Sequence, residues 1–254
     1  MEKGGRTINL FVNTQKFNRS VHSKLKCVQC HKGFDPEELP HKEKINPVNC
    51  LSCHDGIQKD HKFHPQMLQA NGMTGSKDIN CKNCHGYHDV ISPENPKSNF
   101  YYSNLTNACG ECHIKEKEEH ILSEHYEHSK RNDPNSPNCM YCHSYELTEN
   151  SKLSYLELKI NGEKLCLSCH LDEKTRKTQY SKSLIEYESS VHGQALQNGI
   201  AEAPTCTDCH GVHNLQKASV ETSTINKFNV SNICGQCHIN IAYEYDNSTH
   251  GIAL

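Results

Sequence analysis

The sequence contains no tryptophan, and aromatic residues make up only 7% of its 254 positions. Hydrophobic residues of all kinds reach 34%, below the roughly 45–50% of an ordinary soluble domain on a slightly wider count. A chain this polar lacks the side chains for a conventional core of its length. It is either disordered or organised around something other than side chains. No apolar run approaches the ~18 residues of a membrane span, and no apolar stretch follows Met1 as a secretory signal would. Neither sign of charge dominates: 27 Lys and Arg stand against 30 Asp and Glu, a net charge of -3. That balance gives no reason to expect a nucleic-acid partner.

Cysteine and histidine are abundant instead, at 16 and 19 residues. Every cysteine belongs to one pattern. The motifs are Cys27-Val-Gln-Cys30-His31, Cys50-Leu-Ser-Cys53-His54, Cys81-Lys-Asn-Cys84-His85 and Cys109-Gly-Glu-Cys112-His113. Then follow Cys139-Met-Tyr-Cys142-His143, Cys166-Leu-Ser-Cys169-His170, Cys206-Thr-Asp-Cys209-His210 and Cys234-Gly-Gln-Cys237-His238. Cross-links on this scale exclude ordinary disorder. The C-x-x-C-H spacing is that of covalent c-type haem attachment: each thiol adds to one vinyl group, and the adjoining His lies beneath the iron. A zinc-ribbon array also uses C-x-x-C pairs but has no need of a His after each one. A disulfide scaffold has none either, and thioredoxin-like motifs require βαβ patterns that are absent. Haem is the leading reading and zinc the competing one.

On these motifs, with the Cys-His-Gly-x-His extensions and Ser-x-His-Gly lead-ins described below, the chain resembles the multihaem c-type cytochromes from about Ser20 to Leu254. The resemblance implies eight haem c groups and a mainly α fold with extensive coil, very little β-structure and a core made of haem. It also implies attachment after export, and hence a periplasmic or extracellular location.

First-Cys intervals alternate between 23, 28, 27 and 28 residues within successive pairs and 31, 30 and 40 between them. The expected unit is therefore two haems: an N-terminal segment 1–19, then 20–60, 61–120, 121–180 and 181–254, packed as one continuous domain. The second and fourth pairs align without gaps at an offset of 125 residues. Cys81–His88 matches Cys206–His213, and Asn107–Ile114 matches Asn232–Ile239. The chain carries an internal duplication.

Eleven histidines lie outside the motifs, and eight irons need eight distal ligands if all are six-coordinate. Ser-x-His segments select His22, His125, His192 and His250. His64 heads a segment similar to that of His192. His88 and His213 end the Cys-His-Gly-x-His extensions, and His41 is the spare between the first two motifs. His61, His120 and His128 remain unassigned and read as surface residues. The third pair departs from the pattern, with Glu146 where the others have His88 or His213. It is expected to take a ligand from elsewhere, the second His near residue 125 being the compensation.

Candidate helices are 107–126, 181–191 and 232–245, with few elements much longer than three turns. The Lys115–Glu119 run reads as a solvated helix face. Alternation at Leu156, Leu158 and Ile160 before Asn161-Gly162 suggests a hairpin, and 7–12 a short strand. Closely spaced bis-His haems leave no place for a substrate, so electron transfer is expected, in anaerobic respiratory or extracellular electron flow. The partners would be redox proteins, such as a membrane quinol-linked cytochrome, or neighbouring copies in a haem wire. The alternative is an octahaem oxidoreductase with one five-coordinate haem. Ser248–Leu254 copies the lead-in Ser190–Leu196, so two expectations stand: a finished chain capped by His250, or a chain or assembly continuing past Leu254.

Overall fold

Short, locally capped turns rather than amphipathic stripes build this protein. The computed structural model describes residues 2–3, 6–7, 12–35, 37–39, 48–56, 81–143, 153–172 and 181–253. The chain divides into two compact units, Met1–Asn104 and Leu105–Leu254. The boundary falls inside the 61–120 segment of the sequence spacing. In the first unit, β1 (Glu2–Lys3) pairs antiparallel with β2 (Arg6–Thr7), and no other strand occurs among the described residues. Of the strand expected over 7–12, Thr7 lies in β2, Val12 lies in no strand, and the positions between lie outside the described residues. Then follow α1 (Thr14–Phe17), α2 (Cys27–Cys30), a 3-10 turn at Cys50–Ser52 and α3 (Cys81–His85).

The second unit holds α4 (Leu105–Cys109), α5 (Ile114–His120), α6 (Glu124–Lys130), α7 (Cys139–Cys142), α8 (Tyr155–His170) and α9 (Ser181–Ser189). It continues with α10 (Val191–Gln197), α11 (Cys206–His210), α12 (Val230–Gly235), α13 (Ile239–Asp246) and α14 (Thr249–Ile252). The fold is mainly helical with extensive coil. Each expected long helix is interrupted, and the interruptions have two causes. His113 and His238 leave the helical region, at φ -93°, ψ 63° and φ -102°, ψ 57°. Ser123, Ser190 and Ser248 are extended N-caps whose hydroxyls accept from the backbone N–H groups of Tyr126, Gly193 and Gly251.

The hairpin expected at Asn161-Gly162 is not formed. That segment lies inside α8, which at 16 residues also exceeds the expected helix length. Ser154 and Glu157 form a capping box, with the Ser154 N–H donating to Glu157 Oε2 at 2.7 Å. Lys159 Nζ then anchors the helix on Ala203 O at 2.6 Å and on Asp208 Oδ2 at 3.2 Å. These ties outweigh the ~1 kcal/mol cost of a helical glycine.

The duplication is visible in hydrogen bonds. Asn104 Nδ2 donates to Pro96 O and Ser98 O at 2.9 and 2.8 Å. Asn229, 125 residues later, donates to Glu221 O and Ser223 O, both at 2.8 Å. Side-chain burial does little: the buried apolar residues among the described ones are Leu105, Leu196 and Ala203. Ser, Thr, Asn and two glycines, Gly110 and Gly193, supply the other buried positions, while Val191, Tyr243 and Ile252 stay more than 70% exposed. Such a ratio of buried to exposed apolar surface does not hold a domain of this length together.

Candidate metal centres

Each C-x-x-C-H motif occupies about one helical turn. The N–H of His31, His54, His113, His143 and His238 donates to the carbonyl of the first cysteine of its motif, at 2.8–3.0 Å. One i to i-4 bond thus closes the motif. Its cysteines, three residues apart, lie on one helix face. Asn49 caps the second motif through Leu51 N, and Asn138 the fifth through Tyr141 N. Thr205 and Asp208 form a capping box at the seventh. None of the sixteen cysteines is joined in a disulfide.

Among the described residues five motif histidines face a second histidine. In the first unit His54 faces His22 with ring centroids 5.9 Å apart, and His31 faces His88 at 6.1 Å. In the second, His170 faces His125 at 6.2 Å, His143 faces His213 at 6.2 Å and His238 faces His192 at 6.0 Å. These separations exceed ring contact. Two metal–imidazole bonds of about 2 Å each, plus the distance from each nitrogen to its ring centre, put centroids about 6 Å apart. The pairs therefore fit one iron apiece with two axial imidazoles. Zinc fits poorly: it wants four ligands in a tetrahedron, and no group of three or more His, Cys, Asp or Glu arranged for a metal occurs among the described residues.

Chain geometry explains the facing partners. Gly86 and Gly211 of the Cys-His-Gly-x-His extensions have φ of +74° and +76°. In the left-handed region a Cβ is disfavoured, and here one would also lie 3.1 Å from Asp89 Oδ1 or 2.8 Å from Asn214 Oδ1. The turn carries His88 and His213 away from their own motifs toward the first and fifth. Beyond it, Val90 O accepts from Val21 N and Leu215 O accepts from Glu124 N, at 2.9 and 3.0 Å. These bonds hold the Ser-x-His segments of His22 and His125 in place.

Four of these rings are held toward the neutral form, as ligation requires. Burial, then His170, pushes His125 down to about 4. Burial also lowers His22, with His54 adding to it, and His31, with His88 and Lys82 adding. His143 is lowered by burial and then by His213. Glu119 Oε2 lies 3.3 Å from His213 Nδ1, an outer carboxylate that orients the ring and leaves Nε2 free to face His143.

The cysteines make a second set of contacts. Cys50 hydrogen-bonds with Cys81, Cys109 with Cys139 and Cys166 with Cys206. The first cysteines of motifs two and three, four and five, and six and seven thus meet, each time within one unit and between successive pairs of the sequence. Tyr141 Oη also reaches Cys169 Sγ at 3.3 Å.

Not every sequence candidate has a facing ring. His41 and His64 lie outside the described residues, as do His61 and Glu146. His250 faces no motif histidine among the described residues. His85 stacks on Phe100 at 4.6 Å. His128 Nδ1 lies 3.6 Å from Asp133, and His120 Nδ1 lies 3.2 Å from Thr106 Oγ1. Sequence reasoning missed Glu119 and Lys159. Glu119 sits in a run that reads as solvated surface, and Lys159 in a segment that reads as a strand.

Residues 19–114, which carry the first four motifs, are similar to the family described as Cytochrome c3. Neither a curated protein nor a solved structure matches the chain. The family match, over the same stretch that holds the His22–His54 and His31–His88 pairs, supports a multihaem c-type cytochrome with covalently bound haem c and a role in electron transfer.

Proposed function

We propose that this chain carries eight haem c groups, mostly bis-His, in a closely spaced series that conducts electrons in respiratory or extracellular electron transfer. The observation that carries the reading is the set of five motif histidines facing a second histidine at 5.9–6.2 Å. Bound haem supplies a one-electron iron couple; the chain's own residues hold it, cap both axial sites and exclude substrate. Cysteine contacts between successive motifs support short spacings within the series. The four two-haem units are part of this proposal, as are redox-protein partners and a periplasmic or extracellular location, which is typical of the matched family. No helix among the described residues is long and apolar enough to cross a membrane.

Intact-mass measurement of the native holoprotein is expected to give the polypeptide plus eight haems. Electron paramagnetic resonance of the oxidised protein is expected to show predominantly low-spin ferric signals, with at most weak carbon monoxide binding after reduction. Stoichiometric carbon monoxide binding by the undiluted protein would instead favour the oxidoreductase reading, and a lower haem count would refute the eightfold one.

A further inference from the structure

We propose that His250 of one copy is the axial ligand of the haem held by Cys206, Cys209 and His210 in a second copy of this chain. The inference rests on the eight-haem reading above. Its first support is a Ser-x-His segment used four times. Ser20, Ser123, Ser190 and Ser248 each precede a histidine by two positions. Ser123, Ser190 and Ser248 share one corner: the hydroxyl donates to the carbonyl three residues back, at 2.6–2.7 Å, and caps the following helix. The histidines after Ser20, Ser123 and Ser190 face His54, His170 and His238. His250 is presented by the same corner, is exposed, and faces no motif histidine among the described residues.

The second support is an acceptor in the same unit. His143, His170 and His238 already have facing rings, and His113 matches His238 at the 125-residue offset, the sequence counterpart of that ring's partner His192 being His64. Among the described residues His210 has neither a facing ring nor an ion pair; His170 is its neighbour. His250 and His210 lie on the same unit and, among the described residues, do not face each other. Two copies satisfy both.

The third support is the surface around His250. At the 125-residue offset, Ile241, Tyr243 and Ile252 replace Glu116, Glu118 and Glu127. The earlier face is charged, with Lys115–Glu119 and Lys130–Glu127 pairs at 3.8 and 3.7 Å. The later face is apolar yet 64%, 71% and 76% exposed at the three positions. The same helices have exchanged a solvated face for one that favours burial against another surface. A second copy, carrying the complementary iron, is the occupant that uses the ligand and the apolar rim together.

Sedimentation equilibrium and electron paramagnetic resonance of the haem-loaded full chain test this together. Assemblies of two or more chains are expected, and dilution should convert one haem in eight to high spin. His250→Ala should do the same at all concentrations. Ile241→Asp with Tyr243→Glu should raise the concentration needed for assembly while leaving the ligands intact. Three outcomes would overturn the proposal: a monomer with eight low-spin haems, a His250→Ala spectrum identical to the parent, or a high-spin haem in His250→Ala from a parent that is monomeric at every concentration. The last places the ligand within one chain. Loss of more than one low-spin haem in the parent, or fewer than eight by mass, points instead to failure of the eight-haem reading.

Discussion

The stretches 20–90 and 123–215 reach the same wiring from different sequences. In each, the Ser-x-His histidine faces the second motif histidine that follows it, and the first motif faces the histidine that ends the Cys-His-Gly-x-His extension. Yet His22 stands 5 residues before its next cysteine and His125 stands 14 before its own. Distance along the chain therefore does not choose the partner. What the two stretches share is the backbone bond that ties each Ser-x-His segment to the carbonyl two residues past the extension histidine. The glycine turn that aims the extension is common to both as well. Neither extension histidine serves its own motif, so the third pair needs no special compensation for Glu146.

The comparison breaks most completely if haem is withheld. With three buried apolar side chains among the described residues, neither unit has a side-chain core to fall back on. Chain produced without haem attachment is expected to lose near-ultraviolet circular dichroism and cooperative thermal unfolding altogether. A cooperative transition in the haem-free chain would show that one unit folds by other means. Next in size is removal of a facing ring. His22→Ala and His125→Ala should each leave one high-spin haem, and by equal amounts, while His128→Ala should look native. Unequal spectra from the first two would mean that the shared backbone tie does not determine the ligand.

The glycine turns give a smaller and graded effect. Alanine at a positive-φ site costs roughly 1–2 kcal/mol. Gly211→Ala should cost more than Gly86→Ala, since its Cβ would lie closer to a side-chain oxygen, 2.8 against 3.1 Å. Chemical denaturation of the two holoprotein variants measures this, and a reversed order would mean that Asn214 moves aside more readily than Asp89.

Much of this arrangement was legible in the residues. The motifs, the extension histidines and the Ser-x-His segments are local patterns, and local patterns survive without coordinates. Which ring meets which was not legible. His31 meets His88 and His143 meets His213 across 57 and 70 residues, and such contacts depend on a glycine turn and one backbone bond that no spacing encodes. Residues 155–170 were misread for the opposite reason. Alternating Leu156, Leu158 and Ile160 are a strong strand signal in isolation, but Leu156, Ile160 and Leu167 also suit a helix. The Ser154–Glu157 box and the Lys159 anchor, contacts to residues 3 to 49 positions away, decide between them.

That helix gives the second unit a polar network with no counterpart among the described residues of the first, and its smallest testable consequence is a pH effect. Burial raises the Glu163 carboxyl above its ordinary value of 4.5, and Glu188 adds to the shift. Tyr187 Oη donates its one proton to Pro204 O at 2.8 Å. Toward Glu163 the phenol can then only accept, and a protonated carboxyl or an amide can donate to it. Between 4.5 and the raised value the folded chain binds more protons than the unfolded one. Stability contributed by the protonated form is thus present below 4.5 and lost as pH rises through the folded value. Glu163→Gln removes the penalty and keeps a donor for the Tyr187 oxygen. The variant holoprotein is expected to melt higher than the parent at pH 7 and at the same temperature near pH 4. An equal difference at both pH values would show that the gain, if any, comes from packing against Leu158 and Thr205 in the cavity beside Cys206, and that the carboxyl's charge plays no part.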